Sequence, residues 1–181
     1  MTPQGQAPFF ESGGILPLMK TIAFLFFGTA LAALPLTASA DSTLTVSGVH
    51  NCCKGCAKGI EEAITKAGAT AAIDGTTVTI TAKSDDAAQK AAEKLVAAGY
   101  FGEGAPAPKV SDSKVKSAKV GGVHLCCGKC VKAVEEAVMS VSGVTSHNAE
   151  KGAKTFTVEG DFSTAALAAA LQKAGLSGDI N

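Results

Sequence analysis

The sequence predicts an α+β protein composed of two tandem copies of a small β-α-β-β-α-β unit. The heptapeptide HNCCKGC at 50–56 recurs as HLCCGKC at 124–130, an offset of 124 − 50 = 74 residues. Comparison of 48–63 with 122–137 gives ten identical residues in 16 positions, too many for chance in so short a window. The repeat is longer than a solenoid unit and indicates two copies of one small domain.

Alternating hydrophobicity and turn signals predict the elements of the first copy. Thr43–Val49 alternates apolar and polar residues, which is typical of a half-buried strand. Cys56–Lys66 places apolar residues at helical spacing, and the Asp-Gly pair at 74–75 predicts a hairpin turn. Ser84 is expected to cap a second helix that ends at Gly99, and a short last strand follows.

The second copy shows the same order of elements. We expect a strand at Ala118–Val123, a helix with a valine stripe from Val131 to Val138, a hairpin across 144–158, and a helix at Ser163–Ala174. This order in about 60–70 residues is the ferredoxin-like arrangement. It would place two helices on one face of a four-stranded antiparallel sheet in each copy.

Composition gives the expected domain boundaries. A first domain is predicted over 41–102, a second over 117–181, and between them a linker over 103–116 that is rich in Pro, Gly, Ser and Lys. Domains of this size bury only about 60% of their unfolded surface, yet many of them fold alone.

Residues 1–40 have the features of an export leader. Lys20 precedes an apolar run of 13 residues, Ile22–Leu34, and a small-residue cleavage site follows at 38–40. The run is shorter than the roughly 20 residues that span a bilayer, although an uncleaved anchor is the alternative. The segment 1–18 does not suit an export signal, so Met19 is the expected true start. The mature chain, 41–181, is then expected to be periplasmic or secreted.

Charge and aromatic content exclude several classes of function. The chain has 16 basic and 16 acidic residues, one Tyr and no Trp. This balance provides no basic surface for nucleic acid and few aromatic rings for stacking on bases or sugars. The sequence also contains no phosphate-binding loop, nucleophilic triad or paired catalytic carboxylates. We therefore expect no enzyme and no nucleic-acid partner.

All six cysteines lie in the two heptapeptides. Disulfide frameworks in exported proteins use scattered cysteines, so this clustering indicates local chemistry instead. Cys53 and Cys56, like Cys127 and Cys130, are expected where a strand meets a helix N-terminus, whose free N–H groups favour thiolate over thiol. Converging thiolates bind soft ions such as Cu(I), Zn(II), Cd(II) or Hg(II).

The segments VSGVHNCCKGC and VGGVHLCCGKC resemble the heavy-metal-associated domain family. This family includes small copper chaperones, the N-terminal modules of metal-transporting P-type ATPases and the periplasmic mercury-binding protein. The resemblance covers residues 42–181. It implies the ferredoxin-like fold and a Gly-Met-x-Cys-x-x-Cys loop that carries one soft metal ion, Cu(I) or Zn(II) first, in each domain. It also implies a metal-transporting membrane protein, or another thiolate-bearing carrier, as the partner.

The two loops depart from the family motif. Counted from Gly48, the position of the family's Met holds Val49, and Cys53 then comes two residues late. Counted back from the Cys-x-x-Cys pair, that position holds Asn51 in one copy and Leu125 in the other, and each loop has an additional cysteine and a histidine. Three thiolates and one imidazole suffice for tetrahedral zinc. Adjacent cysteines tend to point apart, however, and the histidines could instead orient a cysteine. The candidate metal ligands are Cys53, Cys56, Cys127, Cys130, Cys52, Cys126, His50 and His124.

Three functions remain open from the sequence. The leading hypothesis is an exported soft-metal chaperone or scavenger that transfers its ion by thiolate exchange, with one ion in each domain or one ion clamped between the two. The alternative is thiol–disulfide chemistry at Cys-x-x-Cys. A third is an assembly module whose cysteines are incidental. Lys54 or Lys129 could lower a cysteine pKa in either of the first two.

Overall fold

The computed structural model describes residues 41–181. They fall within one compact unit of the chain. The expected export leader at 1–40 and the expected start at Met19 lie outside the described residues. Within 41–181, no helix combines the length and the apolar character needed to cross a membrane.

The first half forms a three-stranded antiparallel sheet and two helices. Its elements are β1 Ser42–Val46, α1 Lys54–Thr65, β2 Thr70–Asp74, β3 Thr77–Ala82 and α2 Asp85–Ala97. The strand order is β1-β3-β2. Every second residue of β3 is buried, and this alternation is the period of a strand with one face on the core.

The second half forms a four-stranded antiparallel sheet and two helices. Its elements are β4 Lys114–Gly121, α3 Gly128–Met139, β5 Val144–His147, β6 Thr155–Ser163, α4 Thr164–Lys173 and β7 Asp179–Ile180. The strand order is β5-β6-β4-β7. The short β7 pairs with the end of β4 and so completes the sheet beside the loop that precedes α3.

The predicted α+β class, with antiparallel sheets and two helices in each half, is confirmed. One element differs: the first sheet has three strands, and its fourth position is occupied by a single bridge between Ser47 and Glu103. No strand begins at the end of α2, because the chain there pairs with the second half instead. In addition, β4 begins at Lys114, inside the predicted linker 103–116.

Serine caps fix the start of the second helix in each half. The Ser84 hydroxyl accepts a hydrogen bond from the Ala87 amide at 3.2 Å, and the Ser163 hydroxyl accepts one from the Ala166 amide at 3.1 Å. Each cap satisfies an N–H group that has no partner inside the helix. The predicted cap at Ser84 is confirmed.

The two halves join through the turns that follow α2 and α4. Tyr100 pairs with Leu176 in an antiparallel bridge. The Phe101 amide donates to the Gly175 carbonyl at 3.0 Å, and the Ser177 amide donates to the Gly99 carbonyl at 3.0 Å. Buried side chains of both halves form one hydrophobic cluster, so the halves share a core.

Two glycines allow this close approach. Gly99 and Gly175 have positive φ values of 93° and 76°, which side-chain-bearing residues rarely adopt. A Cβ atom at Gly99 would overlap backbone atoms of 122–124, and a Cβ atom at Gly175 would overlap backbone atoms of 48–50. The end of the second helix in each half therefore supports the cysteine loop of the other half.

Candidate metal centre

The cysteine loops of the two halves meet at one place in the molecule. Cys53 and Cys127 are the N-cap residues of α1 and α3, with extended backbone. Cys56 and Cys130 lie in the first turns of those helices and are fully buried. The remaining two, Cys52 and Cys126, are partly exposed like the caps. The centre thus has a buried inner side and an accessible outer side.

Each of the six sulfur atoms contacts at least two of the others. Nine Sγ–Sγ pairs are separated by 3.6 to 3.8 Å. Five of these pairs join the two halves, including Cys52 with Cys127 and Cys56 with Cys126, both at 3.6 Å. The two heptapeptides therefore form one centre in the structure, rather than two separate sites.

These distances do not correspond to disulfides. A disulfide bond is about 2.0 Å long, whereas all six cysteines here are free thiols. Two sulfurs on one tetrahedral metal ion with bonds of about 2.3 Å are separated by about 3.8 Å. The spacing of this sulfur cluster matches the separation of ligands on one metal ion, and it also matches van der Waals contact between thiols.

The two histidines occupy different places beside the sulfur cluster. One ring nitrogen of His50 lies within 4.8 Å of the sulfurs of Cys52, Cys56 and Cys130, whereas His124 belongs to no such group. The His124 ring instead stacks on Tyr100, with ring centroids 4.7 Å apart. The Nε2 atoms of both histidines are buried and have no hydrogen-bond partner. Of the two, His50 is placed to act as a ligand.

Burial and hydrogen bonds set the ionisation of the cysteines. Burial raises the pKa of Cys52, Cys126 and Cys130 above that of a free thiol. Burial also opposes ionisation of Cys56, but the Cys52 backbone and neighbouring thiols bring its pKa below the ordinary value. Hydrogen bonding from the Cys130 backbone lowers the pKa of Cys127 to about 6. Only part of the sulfur cluster is thiolate at neutral pH.

The histidines remain neutral in this environment. Burial lowers the pKa of His50, and burial together with the nearby His50 lowers the pKa of His124. A neutral imidazole offers one nitrogen as an acceptor or ligand and the other as a donor.

The expectation concerned the charge of Lys54 or Lys129, whereas the groups that lower the Cys127 pKa are backbone amides and neighbouring thiols. Lys54 and Lys129 are exposed. The Lys129 backbone is among the groups that lower the Cys127 pKa, through a hydrogen bond. The helix terminus therefore supplies the polarisation at this cysteine, as unpaired first-turn N–H groups do.

Sequence reasoning missed the role of Tyr100. Its hydroxyl is buried and donates a hydrogen bond to the Cys56 carbonyl at 3.1 Å, while its ring packs on His124. Burial, followed by the nearby cysteines, raises the Tyr100 pKa, so the phenol stays protonated. Tyr100 is the single tyrosine of the chain and directly follows the glycine that ends α2, and this position was the sequence signal for its role.

The residues that differ between the heptapeptides anchor each loop separately. The Asn51 side-chain amide donates to the Gly75 carbonyl at 2.8 Å. In the second loop, the Leu125 side chain is buried and its carbonyl accepts from the Gly152 amide at 2.7 Å. Both anchors tie the loop to the hairpin of its own half. Asn51 and Leu125 therefore have structural roles in their own loops.

Comparison with known protein families gives a match in the second half of the chain. Residues 119–177 match the family described as "Heavy-metal-associated domain". The second half is a heavy-metal-associated domain. The match includes all three cysteines of the second loop and lies within the predicted domain 117–181. The first half lies outside the matched residues, and the tandem arrangement there is supported by the internal repeat.

Two solved structures share weak similarity with the chain. One is the N-terminal soluble domains of Bacillus subtilis CopA, 20% identical with a TM-score of 0.31, covering 79% of this chain and 95% of that chain. The other is the water soluble region of the P-type ATPase CopA from Bacillus subtilis, 19% identical with a TM-score of 0.32, covering 79% and 93%. No protein of curated function matches the chain. The heavy-metal-associated domain itself is the informative match.

Selective alkylation of the reduced protein tests whether Cys127 and Cys126 differ in ionisation. At about pH 7, iodoacetamide is expected to label Cys127 at least about tenfold faster than Cys126, because only a thiolate attacks and only Cys127 has a lowered pKa in that pair. Both side chains are partly exposed, so Cys126 is a matched control for access. Peptide mapping after brief labelling measures the ratio. Equal labelling of the two would contradict the assigned ionisation.

Proposed function

We propose that this protein binds soft metal ions, Cu(I) foremost, and acts as a metal chaperone or scavenger outside the cytoplasm. The observation that carries the proposal is the set of six free sulfurs, nine pairs of which lie 3.6 to 3.8 Å apart. Such a set is a soft-donor site, and the heavy-metal-associated domain in the second half agrees with it.

The preference for Cu(I) follows from the number of sulfurs that can bind one ion. The triads within the sulfur cluster suit Cu(I), which accepts two or three thiolates. Zinc in structural sites takes four ligands. Among the described residues, the one group of four donors comprises His50, Cys52, Cys56 and Cys130. Zinc therefore has one candidate position, whereas Cu(I) has several.

Transfer of the ion would proceed by ligand exchange, with the ion as cargo and no catalysis. Four of the six cysteines are partly exposed, so an incoming thiolate from a partner can reach the ion from the open side. The buried Cys56 and Cys130 hold it from the other side. A metal-transporting membrane protein or a second thiolate-bearing carrier is the proposed partner.

A competition titration tests metal binding. The reduced full chain is expected to remove Cu(I) from bicinchoninate, a coloured Cu(I) chelator, and a variant with all six cysteines changed to serine is expected to leave the colour unchanged. Retention of the colour with the reduced wild-type chain would overturn the proposal.

Location outside the cytoplasm is a separate part of the proposal, and it rests on the leader features at 1–40. N-terminal sequencing of the protein from a fractionated host is expected to show a periplasmic or secreted chain that begins at Asp41. A full-length chain in the cytoplasmic fraction would contradict export without affecting metal binding.

Thiol–disulfide exchange is the second candidate, and one observation favours it: Cys127 has a pKa of about 6 and is partly exposed. Thiols of this kind attack disulfides readily. Reduction of insulin disulfides by the reduced chain would support this function. Copper capture without insulin reduction is the result that the metal proposal predicts.

A further inference from the structure

The six sulfur atoms have the connectivity of an octahedron. The nine contacts of 3.6 to 3.8 Å, with three further pairs inside triads that span less than 4.8 Å, give each sulfur four neighbours. Each sulfur lacks contact with one other. All six belong to the described residues, and the pairs without contact are Cys52 with Cys126, Cys53 with Cys130, and Cys56 with Cys127.

Four faces of this octahedron are triads whose donors lie within 4.8 Å of one another. Any two of these triads share one sulfur, and every sulfur belongs to two triads. The four are therefore alternate faces, and the remaining four faces form an equivalent set that the internal repeat exchanges with the first. The triads are Cys52/Cys56/Cys130, Cys52/Cys53/Cys127, Cys53/Cys56/Cys126 and Cys126/Cys127/Cys130.

This connectivity leads to a specific metal content. We propose that the chain holds four Cu(I) ions in one thiolate-bridged cluster, one ion on each alternate triad, with every cysteine sulfur bridging two ions. The inference rests on the proposed function and adds to it the number of ions and their mode of binding. It replaces one ion in each domain by four ions shared between the halves.

The size of the triads fits this assignment. Two triads, Cys52/Cys56/Cys130 and Cys53/Cys56/Cys126, have all three edges between 3.6 and 3.8 Å, so their centres lie about 2.1 Å from each sulfur, close to a metal–thiolate bond of about 2.3 Å. The other two triads span at most 4.8 Å. A three-coordinate ion therefore needs only a slight expansion of the sulfur cluster. Zinc at the same positions would lack a fourth ligand on three of the four triads, because His50 adjoins only Cys52/Cys56/Cys130.

The charge of the loaded centre is also acceptable. Six thiolates with four Cu(I) ions carry a net charge of −2, compared with −6 for the thiolates alone. The N-termini of α1 and α3, capped by Cys53 and Cys127, direct positive potential toward this charge. One ring nitrogen of His50 lies within 4.8 Å of the sulfurs of Cys52, Cys56 and Cys130, where an N–H group would stabilise thiolate charge.

Native mass spectrometry of the reduced full chain, titrated anaerobically with Cu(I) acetonitrile complex, tests the nuclearity. The expected result is a dominant four-copper species that appears cooperatively, with X-ray absorption showing sulfur neighbours and a short Cu–Cu path. Saturation at one or two ions without that path would overturn the cluster while leaving the proposed function intact. Absence of any copper uptake would contradict the proposed function itself.

A double variant distinguishes the cluster from paired Cys-x-x-Cys sites. Cys52→Ser with Cys126→Ser removes one sulfur from every triad but keeps both Cys-x-x-Cys pairs. We expect copper content to fall from four ions to two or fewer, with loss of the Cu–Cu path. Cys52 and Cys126 are partly exposed, which favours retention of the fold, and circular dichroism checks it. Unchanged loading in the folded double variant would overturn the inference.

Discussion

Replacing Gly175 with alanine is expected to separate the two cysteine loops and to reduce copper loading by at least half. The residue has φ of 76°, where a side chain costs about 1–2 kcal/mol, and its Cβ would overlap the Gly48 carbonyl and the His50 amide. Both neighbours are backbone atoms that no rotamer change can move. The total loss in the free energy of unfolding should be about 2–4 kcal/mol, measured by urea denaturation of the reduced apo-protein.

Gly68→Ala is the matched control for this variant. Gly68 has φ of 78°, and a Cβ atom there would meet nothing within 4 Å. It therefore carries the same conformational cost without the contact between halves. We expect a loss of about 1–2 kcal/mol and full copper loading. If the two alanine variants lost equal stability and bound equal copper, the role of Gly175 in joining the halves would be wrong.

Acidification is expected to produce the other large effect. Lowering the pH from about 8 to about 6 should weaken Cu(I) binding by at least about a hundredfold, which corresponds to one displaced proton for each ion over two pH units. The sign follows from the ligand chemistry: Cu(I) binds thiolates, whereas Cys52, Cys126 and Cys130 have raised pKa values and are protonated near neutral pH. Protons therefore compete with the metal ion, and they compete more strongly at lower pH.

This pH effect can be measured against a chelator whose own protonation is known. Glu62 forms an exposed ion pair with Lys58 and is not part of the sulfur cluster. Glu62→Gln is therefore a control that should leave the pH profile unchanged. An affinity that does not change between the two pH values would contradict thiol ligation.

Local elements of the fold were predictable because each has its own sequence signal. Ser84 caps α2, the Asp-Gly pair lies at the turn between β2 and β3, and the helix after the first cysteine loop spans Lys54–Thr65 against a predicted 56–66. Each signal depends on neighbours within a few residues. The hairpin and cap positions therefore follow from the sequence alone.

The shared centre could not be predicted in the same way. The halves meet through backbone atoms around Gly99 and Gly175. Because glycine has no side chain, its position in a sequence gives no hydrophobic pattern that would predict an interface. From the sequence, these glycines indicate only the ends of helices. The sequence left open whether the two sites were separate or joined, because the 74-residue offset carries no information on docking.

The adjacent cysteines show why the ligand count was ambiguous. The expectation that adjacent cysteines point apart is wrong here: the sulfurs of Cys52 and Cys53 lie within 4.8 Å of each other, and each lies 3.7 Å from the Cys56 sulfur. Each finds its nearest sulfurs partly in the other half: Cys52 contacts Cys127, and Cys53 contacts Cys126. The third cysteine of the loop therefore has sulfur neighbours both in its own half and in the other half.

Thiol cross-linking between the halves tests the shared centre most directly. A variant that keeps only Cys52 and Cys127, with the other four cysteines changed to serine, is treated at low concentration with dibromobimane, which links two adjacent thiols. A mixture of the Cys52-only and Cys127-only chains measures linkage between molecules. A joint centre predicts rapid linkage of the two residues within one chain, since their sulfurs lie 3.6 Å apart. Linkage no faster than in the mixture would show that the loops lie apart, and would contradict the account.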